Sequence, residues 1–312
     1  GQATFEGIDQ VLQRVEAGAT DVVWLNLREE PIIYINRRSF CLKDGRNPFG
    51  SIDNEGIETE DLELLEDRLK RDILDEASRN NGYIMLHHEA PPPPGSGMRG
   101  DIYTTWEYLG AYQSVMTVRD IFEHYAVKYH GVQYHRVPIT DNNAPEEKDF
   151  DQMVSIFKNL DHTARLIFNC QLGEGRTTTG MSVACVMRRV IDGPYFNPVR
   201  WSMEKIPIIG KDMPVDAAEG FQRGEYVVVK ETCAMLSDGP TMKQWLDLCI
   251  NKCEAMNNLR LCIYESKRVA EVTTNQVEAE ASTVAANKFL ERYLYMLLFT
   301  AYLYSQEALP LT

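Results

Sequence analysis

An apolar strand, a glycine-containing loop and a helix follow one another in the second half of this 312-residue chain. The strand covers Leu166–Phe168, the loop extends over Cys170–Thr179, and the helix continues to about Ile191. A short apolar run of this kind, followed by a helix, is typical of a buried strand in a parallel sheet. Strands and helices also alternate from Val22 onward, whereas the sequence after residue 200 is mostly helical. The fold class is therefore α/β, with a central, mostly parallel sheet flanked by helices and a helical C-terminal part.

The loop after this strand carries a cysteine and, six residues later, an arginine. A Cys170 thiolate can attack the phosphorus of a phosphate monoester while the Arg176 guanidinium forms paired hydrogen bonds with two phosphate oxygens. The positive end of the following helix dipole favours a bound anion and lowers the pKa of the cysteine. Thr177 is placed to stabilise the thiolate as a leaving group with its hydroxyl. The backbone N–H groups expected to hold the phosphate oxygens belong to Gln171, Leu172, Gly173, Glu174 and Gly175.

Two other motifs with suggestive spacing are interpreted as coincidences. Cys262 and Arg268 are also six residues apart, but the residues between them include no glycine and have helical character. Their N–H groups would therefore be used inside a helix. The segment Gly95–Gly100 matches G-x-G-x-x-G, but a dinucleotide site needs a strand before the glycines, and four prolines stand there instead. For Cys170 the alternative is a buried structural cysteine at a turn, which the loop glycines argue against because they let the backbone curl around an anion.

Cleavage of an alkyl phosphate also requires a proton donor for the leaving oxygen. Asp141 is the best candidate, because it lies in a polar loop directly after a predicted strand, 29 residues before Cys170. Asp149 and Asp151 compete with it. Both stand at the start of a predicted helix, where a stabilising interaction with the helix dipole explains a carboxylate more simply.

The net charge of −14 limits the possible partners. Residues 55–76 hold ten acidic and three basic groups, so half of the excess lies in one segment, most of which is a predicted amphipathic helix with Thr59 as its cap. No nucleic-acid partner is expected, because the chain has no basic footprint. A small anionic substrate needs only local positive potential, although Glu174 within the loop is expected to repel a crowded polyanion. A polyanion would need a basic surface to bind, and the most basic short stretch of the sequence contains Arg28, Arg37, Arg38, Lys43 and Arg46.

The seven cysteines are scattered and form no secreted disulfide framework. The start of the sequence does not resemble a signal peptide, so we expect a cytoplasmic chain with reduced thiols. The longest strongly apolar run, Tyr293–Tyr304, is too short to span a bilayer. No histidine has metal-ligand spacing with another ligand, and Cys249 and Cys253 are interpreted as one turn of a core helix. Neither a metal nor another cofactor is expected.

Three groups of segments resemble a known family, the cysteine phosphatases of paladin type, which are related to the tyrosine-phosphatase-like phytases. They are Leu27–Pro31 with Tyr34–Asn36, Pro138–Asp141 with Ala144-Pro145, and Asn169–Gly180. The resemblance covers most of the chain and implies a tyrosine-phosphatase-like α/β fold without a metal. It also implies a phosphocysteine intermediate and inositol polyphosphates as the substrate class. Such domains often occur in tandem, so sister phosphatase repeats are open as partners.

The resemblance assigns roles to individual residues. It implies that Cys170 is the nucleophile, that Arg176 binds the phosphate and that Asp141 is the general acid. Arg28 matches the arginine of a Leu-Arg-x-Glu motif and is expected to contact substrate. The residues that loosely resemble the later basic helix of the phytases are Arg223 and Lys230. Asn169 is a departure, because many tyrosine phosphatases have histidine before the cysteine.

We expect a single domain over residues 1–312, open to being one repeat of a longer protein. Its parts are a strand-and-hairpin region over about 1–60, a catalytic core over about 61–200 and a helical region over about 201–312. The first part includes a hairpin predicted over Pro31–Leu42, and Thr117 with Asp120 is predicted to start a helix of the core with a capping box. The leading hypothesis is a phosphatase of inositol polyphosphates. Two alternatives stay open. One is a protein tyrosine or dual-specificity phosphatase, which is weakened because the chain has no Lys-Asn-Arg-Tyr-like element for binding phosphotyrosine. The other is a catalytically silent phosphate-binding domain, which Glu174 within the loop suggests.

Overall fold

The structure is a computed structural model that describes residues 1–52, 54–92, 100–110, 114–192, 217–254 and 257–306. Most of the predicted Gly95–Gly100 loop lies outside these residues. The strands are β1 (Val22–Arg28), β2 (Ile32–Ile35), β3 (Arg38–Cys41), β4 (Lys43–Asp44), β5 (Asn47–Ser51), β6 (Tyr83–Glu89), β7 (Ile102–Tyr108), β8 (Val115–Thr117), β9 (Val132–Ile139) and β10 (Arg165–Asn169). The helices are α1 (Phe5–Arg14), α2 (Thr59–Arg79), α3 (Val118–Lys128), α4 (Glu147–Phe157), α5 (Gly175–Asp192), α6 (Ala217–Gln222), α7 (Val227–Met235), α8 (Gly239–Lys252), α9 (Leu259–Val272) and α10 (Gln276–Gln306).

The central sheet is parallel and has the order β10-β1-β9. Every residue of β1 is buried, because helices cover both faces of the sheet. Val23 and Leu25 pack on one face with α4, α5 and the C-terminal helices. Val22 and Trp24 pack on the other face with α1 and α3. The predicted α/β class with a central parallel sheet and a helical C-terminal part is confirmed.

The remaining strands are antiparallel. The predicted hairpin over Pro31–Leu42 corresponds to β2 and β3, and β8 completes a three-stranded sheet with the order β3-β2-β8. Asn36 and Arg37 form its turn with φ values of 46° and 68°, as a tight two-residue hairpin turn requires. The pairs β4-β5 and β6-β7 form separate two-stranded ribbons.

Capping separates a correct prediction from a wrong one. Thr117 and Asp120 form the predicted capping box at the start of α3. Thr59 does not cap α2, since the N-cap is Glu58 and Thr59 is the first helical residue. The Thr59 hydroxyl instead donates to the Arg136 carbonyl at 3.0 Å. A tertiary hydrogen bond to β9 therefore replaces the local cap that the sequence suggested.

The N-terminal helix α1 was not predicted, whereas the helical position of Cys262 was. The expected strand-and-hairpin character of residues 1–60 omitted α1, which Thr4 caps and which buries Ile8 and Leu12 under the central sheet. Cys262 lies inside α9, so the second cysteine–arginine pair is part of a helix, as its sequence indicated. Its N–H groups are not arranged as an anion-binding loop.

Candidate active site

The predicted phosphate-binding loop lies at the carboxyl end of β10. This strand ends at Asn169, Cys170 follows it directly, and α5 begins at Gly175. Cys170 is 3% exposed, and its Sγ accepts a hydrogen bond from Gly173 N at 3.3 Å. Gly173 has a φ of +88°, a left-handed conformation that favours glycine. The loop therefore turns backbone N–H toward the sulfur, as an anion-binding loop does.

The surroundings of Cys170 favour the thiolate. Burial raises its pKa, but hydrogen bonds from Thr177 and Gly173 and the charge of Arg176 lower it, and the net pKa lies below the ordinary thiol value. Burial raises the pKa of Cys233, Cys249 and Cys262, because the neighbouring groups that lower it are too weak to outweigh burial there. The pKa of Cys253 is also lowered, through a hydrogen bond with Cys185, but Cys253 caps α8 and has no anion-binding loop around it.

Arg176 is held by a carboxylate that the sequence analysis did not single out. Its Nη1 and Nη2 donate to the two carboxylate oxygens of Glu30 at 3.1 and 3.0 Å, and Nη1 also donates to the Ile139 carbonyl at 3.2 Å. Glu30 is 2% exposed, and its pKa is lowered because Arg176 and Arg28 outweigh the effect of burial. The bidentate pair fixes the plane of the guanidinium and leaves its Nε edge for another partner.

Two polar atoms beside Cys170 have no hydrogen bond of standard geometry. They are Arg176 Nε and Thr177 Oγ1, both fully buried. Asp141 Oδ1 lies 3.3 Å from Arg176 Nε, as an ion pair rather than an aligned hydrogen bond. The Thr177 hydroxyl lies close enough to lower the pKa of Cys170. Buried polar groups are rarely left unpaired, so this pair of atoms indicates a place for a bound oxyanion.

The loop that carries Asp141 faces the phosphate-binding loop. Asp141 has a side chain that is 48% exposed, and its backbone N–H donates to Glu29 Oε1 at 3.1 Å. The other Glu29 oxygen accepts a hydrogen bond from the Thr140 hydroxyl at 2.9 Å. Burial raises the pKa of Glu29 despite these two hydrogen bonds. Asp141 is therefore oriented by its backbone while its carboxyl group stays accessible to a substrate.

Asp149, the competing acid, serves a structural role. It is 4% exposed, and it forms a capping box with Glu146 at the start of α4, accepting from Glu146 N at 2.8 Å. Burial is the main cause that raises its pKa from 3.8 to about 6. The geometry therefore favours Asp141 as the residue that reaches the loop.

The raised pKa of Asp149 predicts a pH-dependent contribution to stability. Between pH of about 4 and 6 the folded chain retains a proton that the unfolded chain has lost, so the free energy of unfolding falls as the pH rises through this window. We expect this fall in the free energy of unfolding to reach about 3 kcal/mol in the unmodified chain and to be absent from Asp149→Asn. Urea unfolding of both chains at pH 4 to 8 measures it. Parallel pH profiles for the two chains would contradict the prediction.

Asn169 braces the loop from below. Its Oδ1 accepts from the Trp24 indole at 2.7 Å, and its Nδ2 donates to Asn26 Oδ1 and Gln2 Oε1, both at 3.1 Å. Gln2 also donates to the Tyr34 hydroxyl at 2.7 Å. The residue that replaces histidine before the cysteine thus ties the loop to β1 and β2.

The other predicted substrate-binding residues differ in their surroundings. Leu172 is 71% exposed and Glu174 is exposed as well, with no ion pair from Glu174 among the described residues. Arg28 is 4% exposed, and its Nε donates to Glu30 at 3.0 Å. Arg223 pairs with Glu219 at 2.5 Å, and Lys230 pairs with Glu225 at 3.2 Å. Direct substrate contact by Arg28, Arg223 and Lys230 stays a prediction.

Three residues of the site were missed at the sequence level. Glu29 and Glu30 lie within the Leu27–Pro31 motif, so the motif marked their position but not their partners. Arg292 lies on α10, is 2% exposed and donates to the Asn143 carbonyl from Nε and Nη2 at 3.1 and 2.8 Å. No local signal separates Arg292 from the other charged residues of its helix.

Fold and loop together define the class: a tyrosine-phosphatase-like α/β protein with a buried cysteine at the start of a glycine-containing loop. Residues 25–188, more than half of the chain, match the model of the tyrosine-phosphatase-like phytase family, whose description is inositol hexakisphosphate. The chain belongs to the tyrosine-phosphatase-like phytase family. The relation to these phytases that the sequence indicated is thereby confirmed.

The curated relatives are paladins. The chain is 28% identical over 297 residues to paladin of Xenopus tropicalis, which covers 92% of this chain and 30% of that protein. It is 28% identical over 296 residues to paladin of Homo sapiens, covering 92% of this chain and 29% of the relative. The chain therefore spans about 30% of the length of the curated relatives it matches.

Two solved structures share the fold. The tandemly repeated protein tyrosine phosphatase like phytase from Mitsuokella multacida superposes with a TM-score of 0.57 at 15% identity, over 100% of this chain and 38% of that one. A myo-inositol phosphatase from the same organism, in complex with myo-inositol-(1,3,4,5)-tetrakisphosphate, gives 0.55 at 15% identity, over 99% and 38%. At this identity the likeness establishes the fold.

Two features are absent from the described residues, a membrane-spanning helix and a metal-binding cluster. None of the helices in the described ranges is long and apolar enough to cross a membrane. Within the same ranges, no three histidine, cysteine, aspartate or glutamate side chains come together as a metal site would require.

Proposed function

We propose that the chain hydrolyses phosphate monoesters of inositol polyphosphates through a phosphocysteine intermediate on Cys170. One observation carries the proposal: Cys170, whose pKa is lowered, lies beside two buried donors that have no hydrogen bond of standard geometry, Arg176 Nε and Thr177 Oγ1. The oxygens of a phosphate group can complete the hydrogen bonding of these donors. A structural cysteine at a turn needs neither donor.

The first step transfers the phosphoryl group to the enzyme. The Cys170 thiolate attacks phosphorus, so that an S–P bond forms as the bond from phosphorus to the inositol oxygen breaks. Arg176 and the loop N–H groups stabilise the charge on the remaining phosphate oxygens. Asp141 gives its proton to the leaving alkoxide, a role that fits its exposed side chain 3.3 Å from Arg176.

The second step returns the free enzyme. Water attacks the phosphocysteine, the ionised Asp141 takes a proton from that water, and the S–P bond breaks to release phosphate and the Cys170 thiolate. The Thr177 hydroxyl and the Gly173 N–H stabilise the departing sulfur, as they stabilise the resting thiolate. No metal enters either step, because arginine, N–H groups and the helix start supply the positive potential.

The surroundings of the loop support a polyphosphate as substrate. Gln171 in the loop receives a hydrogen bond from the Ser51 hydroxyl at 3.4 Å, and Ser51 receives one from Lys43 Nζ at 3.3 Å. Lys43 and Arg46 are exposed on the β4-β5 ribbon. The ribbon is thus linked to the predicted phosphate-binding loop through Lys43 and Ser51, where a second phosphate of the same molecule can reach Lys43, and Arg46 lies in the turn of the same ribbon. The family description and the ligand named for the Mitsuokella neighbour point to the same substrate class.

Removing the two positive charges of the ribbon tests this substrate class. We expect Lys43→Met with Arg46→Met to raise the KM for inositol hexakisphosphate about three- to tenfold, as exposed charge contacts of this kind suggest. The KM for p-nitrophenyl phosphate, which has a single phosphate, should stay unchanged. Arg68→Met with Arg79→Met removes the same charge from the exposed face of α2 and serves as the matched control. Equal effects of both double variants would show only a change in global charge.

Phosphate release from a panel of substrates decides between the proposal and its alternatives. Inositol tetrakis-, pentakis- and hexakisphosphate are compared with phosphotyrosine and phosphothreonine peptides on the full 312-residue chain. We expect a kcat/KM at least about tenfold higher for the inositol phosphates, equal to about 1.4 kcal/mol of transition-state binding. A preference for phosphopeptides would support a protein phosphatase. Binding without any release would support a silent domain.

The remaining sequence-level expectations belong to the same proposal. A cytoplasmic location and sister phosphatase repeats are part of it. The tandem arrangement named for the Mitsuokella phytase supports the second. Direct substrate contacts by Arg28, Arg223 and Lys230 are also retained. Arg28 can also affect the reaction indirectly, because it forms a buried ion pair with Glu30, and Glu30 orients Arg176.

A further inference from the structure

A buried arginine of the C-terminal helix grips the loop that carries the proposed general acid. Arg292 lies within the 31-residue helix α10 and directs Nε and Nη2 at a single acceptor, the Asn143 carbonyl, at 3.1 and 2.8 Å. Asn143 is two residues after Asp141. A contact across 149 residues of sequence thus ends in the acid loop.

The same guanidinium lies beside the phosphate-binding loop. A Cβ atom at Gly175, the first residue of α5, would be 3.3 Å from Arg292 Nη1. Burial lowers the pKa of Arg292, while the negative charge of Asp141 acts in the opposite direction. Arg292 therefore lies between the two loops that must cooperate in the reaction.

Packing alone does not account for this arginine. Among the residues that the structure describes, no carboxylate lies within ion-pair distance of its guanidinium, although Arg292 is 2% exposed. A buried charge without an ion pair is costly for folding. An apolar residue at this position of α10 would avoid that cost, so the presence of an arginine there indicates a role in the site.

The acid loop is held from two sides. Glu29 accepts hydrogen bonds from Thr140 and from the Asp141 N–H at the beginning of the loop, and Arg292 holds Asn143 at its end. Asn142 between them has a φ of +61°, a left-handed conformation that costs energy outside glycine and persists where the surroundings impose it. Without the Arg292 contact, the end of this turn loses its fixed position.

We propose that Arg292 is a positioning residue that fixes the Asp141 loop for proton transfer. The inference rests on the proposed function, in which Asp141 protonates the leaving oxygen. Arg292 acts through the Asn143 carbonyl and touches neither phosphorus nor the leaving group. Its effect should therefore appear in the proton-transfer step and be absent from the binding of the transferred phosphate.

The test compares Arg292→Met, which removes both donors, with Arg292→Lys, which keeps a charge and a donor. Glu291→Gln, an exposed neighbour on the same helix, is the control. For Arg292→Met we expect kcat on inositol hexakisphosphate to fall about 10- to 100-fold, because leaving-group protonation contributes a factor of this order or more. The loss on p-nitrophenyl phosphate, whose leaving group needs little protonation, should stay below about threefold. Arg292→Lys should recover part of the loss.

Amide hydrogen exchange gives a readout that does not depend on activity. The amides of residues 141–143 should exchange faster in Arg292→Met than in the unmodified chain, while those of the Cys170 loop stay unchanged. Equal losses on both substrates, or unchanged exchange at 141–143, overturn the proposal. If the unmodified chain hydrolyses neither substrate, the proposed function has failed, and the exchange measurement alone decides whether Arg292 fixes the loop.

Discussion

Replacing Cys170 by serine is expected to lower phosphate release from inositol hexakisphosphate by more than about 10³-fold. A serine hydroxyl is not ionised near neutral pH, whereas the environment of Cys170 lowers the pKa of the thiol and so favours the thiolate that the proposed mechanism requires. The loop N–H groups and Arg176 stay in place, so substrate affinity should change by less than about threefold. Phosphate release and calorimetric binding on the same preparations measure the two quantities.

The chain contains its own control for this variant. Cys262 has an arginine six residues later, like Cys170, but it lies in α9 and its pKa is raised by burial. Cys262→Ser should therefore retain full activity. Phosphate release that survives in Cys170→Ser would refute the covalent mechanism. Release that is absent from the unmodified chain, with binding intact, would identify a silent domain.

The second large effect is expected for Asp141→Asn. The amide cannot donate the proton that an inositol alkoxide needs, so we expect a loss of about 10²- to 10³-fold on inositol hexakisphosphate. The loss on p-nitrophenyl phosphate should be less than about tenfold, because its leaving group is stable as an anion. The ratio of the two losses, measured at several pH values, isolates general-acid catalysis from damage to the loop.

Asp149→Asn is the matched control, since it makes the same substitution in a capping box eight residues away. It should change stability with pH but leave the ratio of the two activities unaltered. A uniform loss in Asp141→Asn on both substrates would move the acid to another residue. A leaving-group dependence in Asp149→Asn would name that residue.

The sequence predicted those parts of the structure whose conformation is determined by residues close together in the chain. The apolar run before Cys170, the glycines after it and the capping box at Thr117 each specify a conformation within a few residues. The hairpin turn at Asn36 is of the same kind. These signals were sufficient for the α/β class and for the loop in which Cys170 lies close to Arg176.

The partners of these residues depend on the tertiary fold. Glu30 meets Arg176 across 146 residues, and Arg292 meets Asn143 across 149. Neither pair leaves a periodic or spacing signal in the sequence, because its members lie on different elements. Thr59 shows the opposite case, in which a good local cap was displaced by a hydrogen bond to β9. The partners of these side chains are therefore set by long-range hydrogen bonds, which local sequence patterns cannot predict.

The charges around Cys170 have a consequence for the response to salt. Five charged side chains around the loop are at most 4% exposed and are therefore shielded from ions in the solvent, namely Arg28, Arg176, Arg292, Glu29 and Glu30, whereas Asp141 is partly exposed. Mobile ions screen exposed charges far more than buried ones. Recognition of the transferred phosphate should thus be insensitive to ionic strength, while attraction exerted by the β4-β5 ribbon fades as salt is added. Ionic strength therefore separates the inner phosphate site from the outer one without any mutation.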